Sequence, residues 1–381
     1  MFWTFKYQGK EHVSWGKPTL LKAEDVSDVA PYYSLKVYGG EPILPGQSAV
    51  FVMQGDSTLG IGDSIWLISY MRDIYSIKGR RRCKLSFAST PNVHNLYKLF
   101  LPKTFSCVQQ YLEKTVFDAF DHKLPSMYFW KEDNRSDKSW VDNRSILSRM
   151  YAWSGMQYDG LPDFGDFTDE SVLYPGQEFF RRYGIDPDDR YVMLQWHSSG
   201  ACKNPHPRVW LKVIRHVTKT YGLKVYVAGT LKCLDELSSI PGVVNLSGKS
   251  EGRIDDLFTL GFRSEFIVCP DSVGIHIAEA YRIPAVVIMS TLPPNYVAYK
   301  YRMPSFMFGS GKCPYRPCGE LHAIPKDKCP GGGGYYCRVV EDIDIGLFDR
   351  CVVQSFENRA AWRRTKAEPF YQSFNPPISI R

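Results

Sequence analysis

The stretch "IVCPDSVGIHIAEAYRIPAVVIM" (267–289) sets an acid, a hydroxyl and a glycine, Asp271, Ser272 and Gly274, where an apolar strand gives way to a helix. Backbone amides at a helix N-terminus, a serine hydroxyl and a glycine that admits close approach together make an anion site. Asp and Ser are also favoured helix caps, so a capping role for Asp271 stands beside the ligand role. His276 lies one turn into the helix, either packed or part of the site.

Three further segments carry chemistry. "QWHSSGACKNPHPRVW" (195–210) also follows a strand and precedes a helix. Its Ser198, Ser199, Gly200 and Lys203 could hold a diphosphate, because helix dipole, amides and ammonium act in the same sense. The GxxxxGK[ST] spacing of a P-loop is absent. In "GDSTLGIGD" (55–63), Gly55, Gly60 and Gly62 make a tight turn and Asp63 begins the next helix. Asp63 is there a cap, or a carboxylate that accepts a proton from an attacking hydroxyl. "CPYRPCGELHAIPKDKCPGGGGYYC" (313–337) gathers Cys313, Cys318, Cys329 and Cys337 in a loop rich in Gly and Pro. Four thiolates there could hold Zn or Fe, with disulfides or ordinary thiols as the alternative.

These loops need strands and helices to position them. From residue 190 onward, strands at 190–196, 224–230 and 243–248 alternate with helices at 208–222, 231–240 and 253–262, and 267–289 adds a strand, the turn Asp271–Gly274, a helix and a second apolar strand. That alternation predicts parallel βαβ units, and the Val/Ile-rich strands predict a sheet covered on both faces. The first half holds one similar unit: strand 48–54, the glycine loop, helix 64–79 and strand 84–89. Leu67, Tyr70, Met71 and Ile74 give that helix its apolar face. A chain of 381 residues divides into two domains of ordinary size. We expect a β-rich extension over 1–47, a Rossmann-like domain over 48–175, and a second over 176–345 that includes the cysteine loop. A C-terminal helix and tail fill 346–381. In open α/β sheets ligands bind beyond the carboxyl ends of the strands, where all these loops lie.

Composition narrows the class. No stretch approaches the ~18 apolar residues of a membrane span, and "MFWTFKYQGKEH" lacks a signal-peptide core, so a cytoplasmic location is expected. Ten cysteines in that setting read as thiols or metal ligands. The net charge of +7 suits an anionic substrate such as a nucleotide, or an acidic acceptor such as DNA. The basic run "KGRRRCK" (78–84) is a solvated helix end or part of such a surface. An NAD-dependent enzyme is disfavoured, because no G-x-G-x-x-G follows a strand with an acid ~20 residues on.

Together the pieces resemble a GT-B glycosyltransferase related to glycosyltransferase family nine, the heptosyltransferases. The resemblance spans residues 48–90 and 190–345. "GIGDSIWLISYMRDI" resembles the family's N-domain loop, which implies Asp63 as general base and Gly60 and Gly62 on the acceptor side. "HSSGACKNPHPRVW" resembles the segment that contacts donor phosphates, implying Ser198, Ser199 and Lys203, with Trp210 following. Thr230, at the end of strand 224–230, joins this donor set. "CPDSVGIHIAEAYRIPAVVIM" resembles the family's block at the donor diphosphate, implying Asp271, Ser272, Gly274 and His276; here Val273 stands as an extra residue between Ser272 and Gly274.

The resemblance implies two Rossmann-like domains facing a central cleft, the C-terminal half binding a nucleotide sugar and the N-terminal half an acceptor. It also implies transfer with inversion, no divalent metal in catalysis, and a C-terminal helix at 347–364 crossing back. The cysteine loop resembles the metal finger of autotransporter heptosyltransferases, which implies a structural Zn or Fe. The expected activity is sugar transfer from an ADP-heptose-like or other nucleotide sugar to a hydroxyl on a glycan or protein. Transfer to hydroxymethylated bases of phage DNA, or a GT-B-like binding protein without catalysis, stays open, as does an oligomer.

Overall fold

The apolar β-branched runs of the sequence form strands, and the polar-faced segments between them form helices. The computed structural model describes residues 2–15, 23–31, 47–52, 84–88, 106–108, 112–125, 175–186, 188–198, 200, 203–229, 235–249, 254–298, 301–311, 313, 336–337 and 340–365. The expected helix 64–79, the loop with Gly60, Gly62 and Asp63, and Ser199, Thr230, Cys318 and Cys329 lie outside the described residues. The chain divides into two units, Met1–Gly165 and Asp166–Arg381.

The first unit holds two sheets. Strands β1 (Phe2–Tyr7), β2 (Lys10–Trp15) and β3 (Val26–Pro31) supply the expected β-rich front and pair antiparallel, in the order β3-β1-β2 with a fourth strand beside β2. Its fourth strand, β7 (Leu112–Glu113), comes from much later in the chain. Gln8 and Gly9 turn β1 into β2 with φ of 50° and 78°, the left-handed pair that a tight hairpin requires. The other sheet is parallel: β4 (Ser48–Val52), β5 (Lys84–Ala88), β6 (Ser106–Val108) and β8 (His122–Pro125), ordered β6-β5-β4-β8. The strand order reverses at β4, so the chain leaves β4 at a topological switch point. Asp121 Oδ2 accepts from the Ser48 amide (2.7 Å) and hydroxyl (2.8 Å), which ties the starts of β4 and β8 together.

The second unit is one parallel sheet of six strands. They are β9 (Tyr191–Gln195), β10 (Lys224–Ala228), β11 (Val243–Asn245), β12 (Phe266–Pro270), β13 (Ala285–Met289) and β14 (Pro304–Phe308). Their order is β11-β10-β9-β12-β13-β14, the doubly wound pattern with its switch point between β9 and β12. Helices follow the strands: α1 (Pro207–His216), α2 (Ile254–Arg263), α3 (Val273–Tyr281) and the long α4 (Ile345–Thr365).

One face packs Val192, Leu194, Val225, Val227, Val268, Val286 and Ile288 against Val209, Val213 and Ile214 of α1 and Phe348 and Val352 of α4. On the other face α2 and α3 touch closely: a Cβ on Gly261 would lie 2.5 Å from Ile277 and 3.5 Å from Met193 and Ile267. Both faces are covered, so the strands carry no polar alternation.

Two helices differ from expectation. The segment 208–222 is not one helix: α1 ends at His216, and Val217–Tyr221 form a π turn closed by Gly222 at φ 63°. There Thr218 Oγ1 donates to the Ile214 carbonyl (3.0 Å), a local bond that competes with the α ladder. Within 231–240, the described part is a short 3₁₀ turn, Asp235–Ser239.

Candidate functional site

The loops after β9 and β12 leave the sheet at its switch point, and their functional side chains meet there. Lys203 Nζ lies 3.2 Å from Asp271 Oδ2. Both side chains are largely buried, the carboxylate at 5% exposure. The contact is an ion pair by proximity and lacks hydrogen-bond alignment, so Oδ2 accepts no hydrogen bond among the described residues.

The turn into α3 is held from outside the helix. Ser272 is the N-cap residue, but its side chain makes no capping bond. Gln195, the last residue of β9, takes that role: its Oε1 accepts from the Gly274 amide (2.8 Å) and the Ser272 hydroxyl (2.9 Å). Asp271 is therefore no cap, and its carboxylate turns to Lys203. Gly274 fits because nothing larger does. A Cβ there would lie 2.8 Å from Cys269 Cβ and Sγ and 2.9 Å from Gln195 Oε1.

His276 is buried in α3, and its Nδ1 is 2.8 Å from the Tyr301 hydroxyl. Burial, then the nearby Lys203 ammonium, push its pKa from 6.5 down to about 3, so the imidazole is neutral.

Asn204, fully buried, shapes the loop that carries Lys203. Its Oδ1 accepts from the Ser198 amide (2.6 Å), and its Nδ2 donates to the carbonyls of Ser198 and Gly200 (both 3.2 Å). Its own carbonyl accepts from the Cys337 amide (2.9 Å), and the Val340 carbonyl accepts from the His206 amide (3.0 Å). The end of the cysteine segment thus lies against the Lys203 loop. Cys313 and Cys337 are the two described members of the cysteine set, both half-buried. Among the described residues no three or more His, Cys, Asp and Glu gather as metal ligands.

Buried polar atoms without a hydrogen-bond partner are costly. Among the described residues three of them lie at this one sheet edge: His197 Nδ1 after β9, Asp271 Oδ2 after β12 and Thr291 Oγ1 after β13. His197 is further held neutral by burial, which lowers its pKa. Lys203, Asp271, Ser272, Gly274 and His276 thus lie near one another at this edge, and Ser198 sits on the same loop as Lys203. Sequence reasoning missed Gln195, Asn204, Thr291 and Tyr301. Only Gln195 left a signal, a polar residue closing the apolar run "YVMLQ".

No protein-family model matches the sequence, and no curated protein is similar to it in sequence. Solved structures are similar in fold. The E. coli ADP-heptose lps heptosyltransferase II shares 13% identity at a TM-score of 0.51, over 73% of this chain and 98% of that one. A glycosyl transferase family 9 protein from Veillonella parvula shares 10% at 0.56, over 83% and 98%. The iron-containing dodecameric glycosyltransferase TibC from enterotoxigenic E. coli shares 14% at 0.51, over 97% and 92%. What the chain has in common with them is the fold, so the GT-B-like α/β architecture expected from its sequence is the one it has.

Proposed function

We propose that this chain is a glycosyltransferase that moves a sugar from a nucleotide-sugar donor to an acceptor hydroxyl on a glycan or protein. The donor diphosphate sits at the carboxyl edge of the second unit's sheet, beside Lys203, with Asp271, Gly274, His276, Ser198, Ser199 and Thr230 around it. One observation carries this reading: a largely buried ammonium faces the Asp271 carboxylate at the switch point of a doubly wound sheet, while the buried His197 Nδ1 and Thr291 Oγ1 on loops of the same carboxyl edge lack a hydrogen-bond partner among the described residues. Such an edge is where nucleotides bind in this architecture. The heptosyltransferase likeness supports the reaction class, and a structure described as acting with ADP-heptose supports an ADP-sugar as the first donor to try.

The chemistry follows from the residues. The leaving group is a nucleoside diphosphate, and the Lys203 ammonium together with the α3 N-terminus lowers the cost of its developing charge. Asp63, on the loop that leaves β4 at its own switch point, takes the proton of the attacking hydroxyl. Attack from the face opposite the diphosphate inverts the anomeric centre in one displacement. Cys313, Cys318, Cys329 and Cys337 would hold one Zn or Fe in a structural role. The iron-containing TibC supports that metal, and a tetrathiolate set leaves no open position for substrate.

A thermal-shift screen with ADP-, UDP- and GDP-sugars tests the donor. A ligand at 100 times its Kd stabilises by about 2.7 kcal/mol. Turnover of the stabilising donor by wild type, with a loss of ~10²–10⁴-fold in Asp63→Asn, is the expected result. Stabilisation by none of the three classes removes the donor reading, and an Asp63→Asn protein with more than half the wild-type kcat removes the base.

A further inference from the structure

The loop that carries Lys203 is closed by the side chain of its neighbour. Asn204 is fully buried; its Oδ1 accepts from the Ser198 amide (2.6 Å), and its Nδ2 donates to the carbonyls of Ser198 and Gly200 (both 3.2 Å). The Lys203 amide donates to that same Gly200 carbonyl (3.0 Å), so Lys203 and Asn204 are pinned to one acceptor. The main chain holds the loop from outside as well. The Cys337 amide donates to the Asn204 carbonyl (2.9 Å), and the His206 amide donates to the Val340 carbonyl (3.0 Å).

A carboxamide offers an acceptor and two donors, and this loop presents it with one amide and two carbonyls. Aspartate lacks the donors, and an apolar residue lacks all three groups. We propose that Asn204 is a positioning residue for the donor diphosphate: by closing the loop between Ser198 and Asn204 it fixes the main chain of Lys203 and so holds the ammonium in its place beside Asp271. The inference rests on the donor site described above. A lysine stem is flexible, and a site built on one gains from a fixed point of origin. The Asp271 carboxylate, 3.2 Å away, gives the ammonium its end point, and Asn204 gives the stem its start. Less ordering is then left for the moment the anion binds, so the buried amide acts on affinity without touching the ligand.

A double-mutant cycle separates positioning from plain stability. ADP, UDP and GDP are titrated into wild type, Asn204→Ala, Lys203→Ala and the double variant, with the fold of each checked by circular dichroism. Whichever diphosphate binds wild type should bind Asn204→Ala about 10-fold more weakly, a part of the roughly 10- to 150-fold that the Lys203 contact is worth. With Lys203→Ala in place, the Asn204 change should cost less than about 2-fold, because no ammonium is left to position. Asn204→Asp, close in size and still an acceptor for the Ser198 amide, takes the same place in the cycle should Asn204→Ala not fold. A direct effect of its new charge would persist in the Lys203→Ala background, so the cycle still discriminates. The coupling between Lys203 and Asp271, read by melting Lys203→Met, Asp271→Asn and their double variant, should also shrink when Asn204 is replaced. Equal losses of affinity in the two backgrounds, or an unchanged coupling, overturns the assignment. Binding of none of the three diphosphates to wild type overturns the donor reading instead, and the melting cycle, which needs no ligand, separates the two failures.

Discussion

Lys203 and Asp271 come from different loops of the sheet, yet their charged atoms stand 3.2 Å apart. They meet because β9 and β12 are neighbours at the switch point, so the loop leaving each begins beside the other. The arrangement gives Asp271, buried at the end of an apolar strand, a cation to face. It also leaves Lys203 beside His276 and the start of α3.

Removing the cation should therefore cost stability. Lys203→Met leaves a buried carboxylate alone, a loss of about 3 kcal/mol, at the low end for buried pairs because Lys203 keeps some exposure. The double variant Lys203→Met/Asp271→Asn should recover much of that loss in a thermal double-mutant cycle. Additive losses from the two single changes would show that the charges do not interact.

Gln195 joins strand and helix through one oxygen. Gln195→Leu leaves the Gly274 amide without its acceptor, at a cost of about 1–3 kcal/mol, while the Ser272 hydroxyl keeps the Pro270 carbonyl at 3.2 Å. Lower melting temperature should come with weaker nucleotide binding, since the turn at Asp271 loses its tether. Unchanged melting would place the hold on α3 elsewhere.

At Gly274 two effects oppose each other. Alanine raises helix propensity by about 0.8–1.0 kcal/mol. Its Cβ, however, would come within 2.8 Å of the Cβ of Cys269, an atom fixed by the strand backbone. Overpacking of that kind costs about 1–3 kcal/mol. Gly274→Ala should melt below wild type, and a higher melting temperature would contradict the packing described here.

The depressed pKa of His276 makes a pH prediction. In the unfolded chain this group binds a proton below about 6.5, whereas in the fold it does so only near 3. Its contribution is thus fully present above pH 6.5 and is lost as pH falls towards 3, to the order of a few kcal/mol. Wild type should lose stability across that window faster than His276→Gln. Glu279, whose carboxyl is raised by burial, acts in the opposite sense in both proteins and cancels in the comparison. Parallel pH curves for the two would remove His276 from the acid-sensitive set.

The second unit was readable because its strands are buried on both faces. Runs such as "YVMLQ", "KVYVA" and "AVVIM" are continuous and β-branched, and they lie within a residue or two of the expected positions. The polar loops at their carboxyl ends were readable for the same reason. What the sequence hid is non-local. The capping of α3 comes from Gln195 on another strand, and a cap of that kind has no local spacing to detect. Tyr301 and Thr291 belong to loops whose own composition is unremarkable in pattern, and only the strand order brings them to the edge. The π turn after α1 depends on one threonine hydroxyl, below the resolution of helical periodicity.

The central claim is that Lys203 neutralises the donor diphosphate, and calorimetric titration of ADP, UDP and GDP into wild type and Lys203→Ala tests it most directly. With the folded state of each protein checked by circular dichroism, one of the diphosphates should bind wild type and bind the variant about 10- to 150-fold more weakly, the value of a charge-assisted contact. Equal affinity in the two proteins would contradict the claim and move the phosphates away from this edge of the sheet.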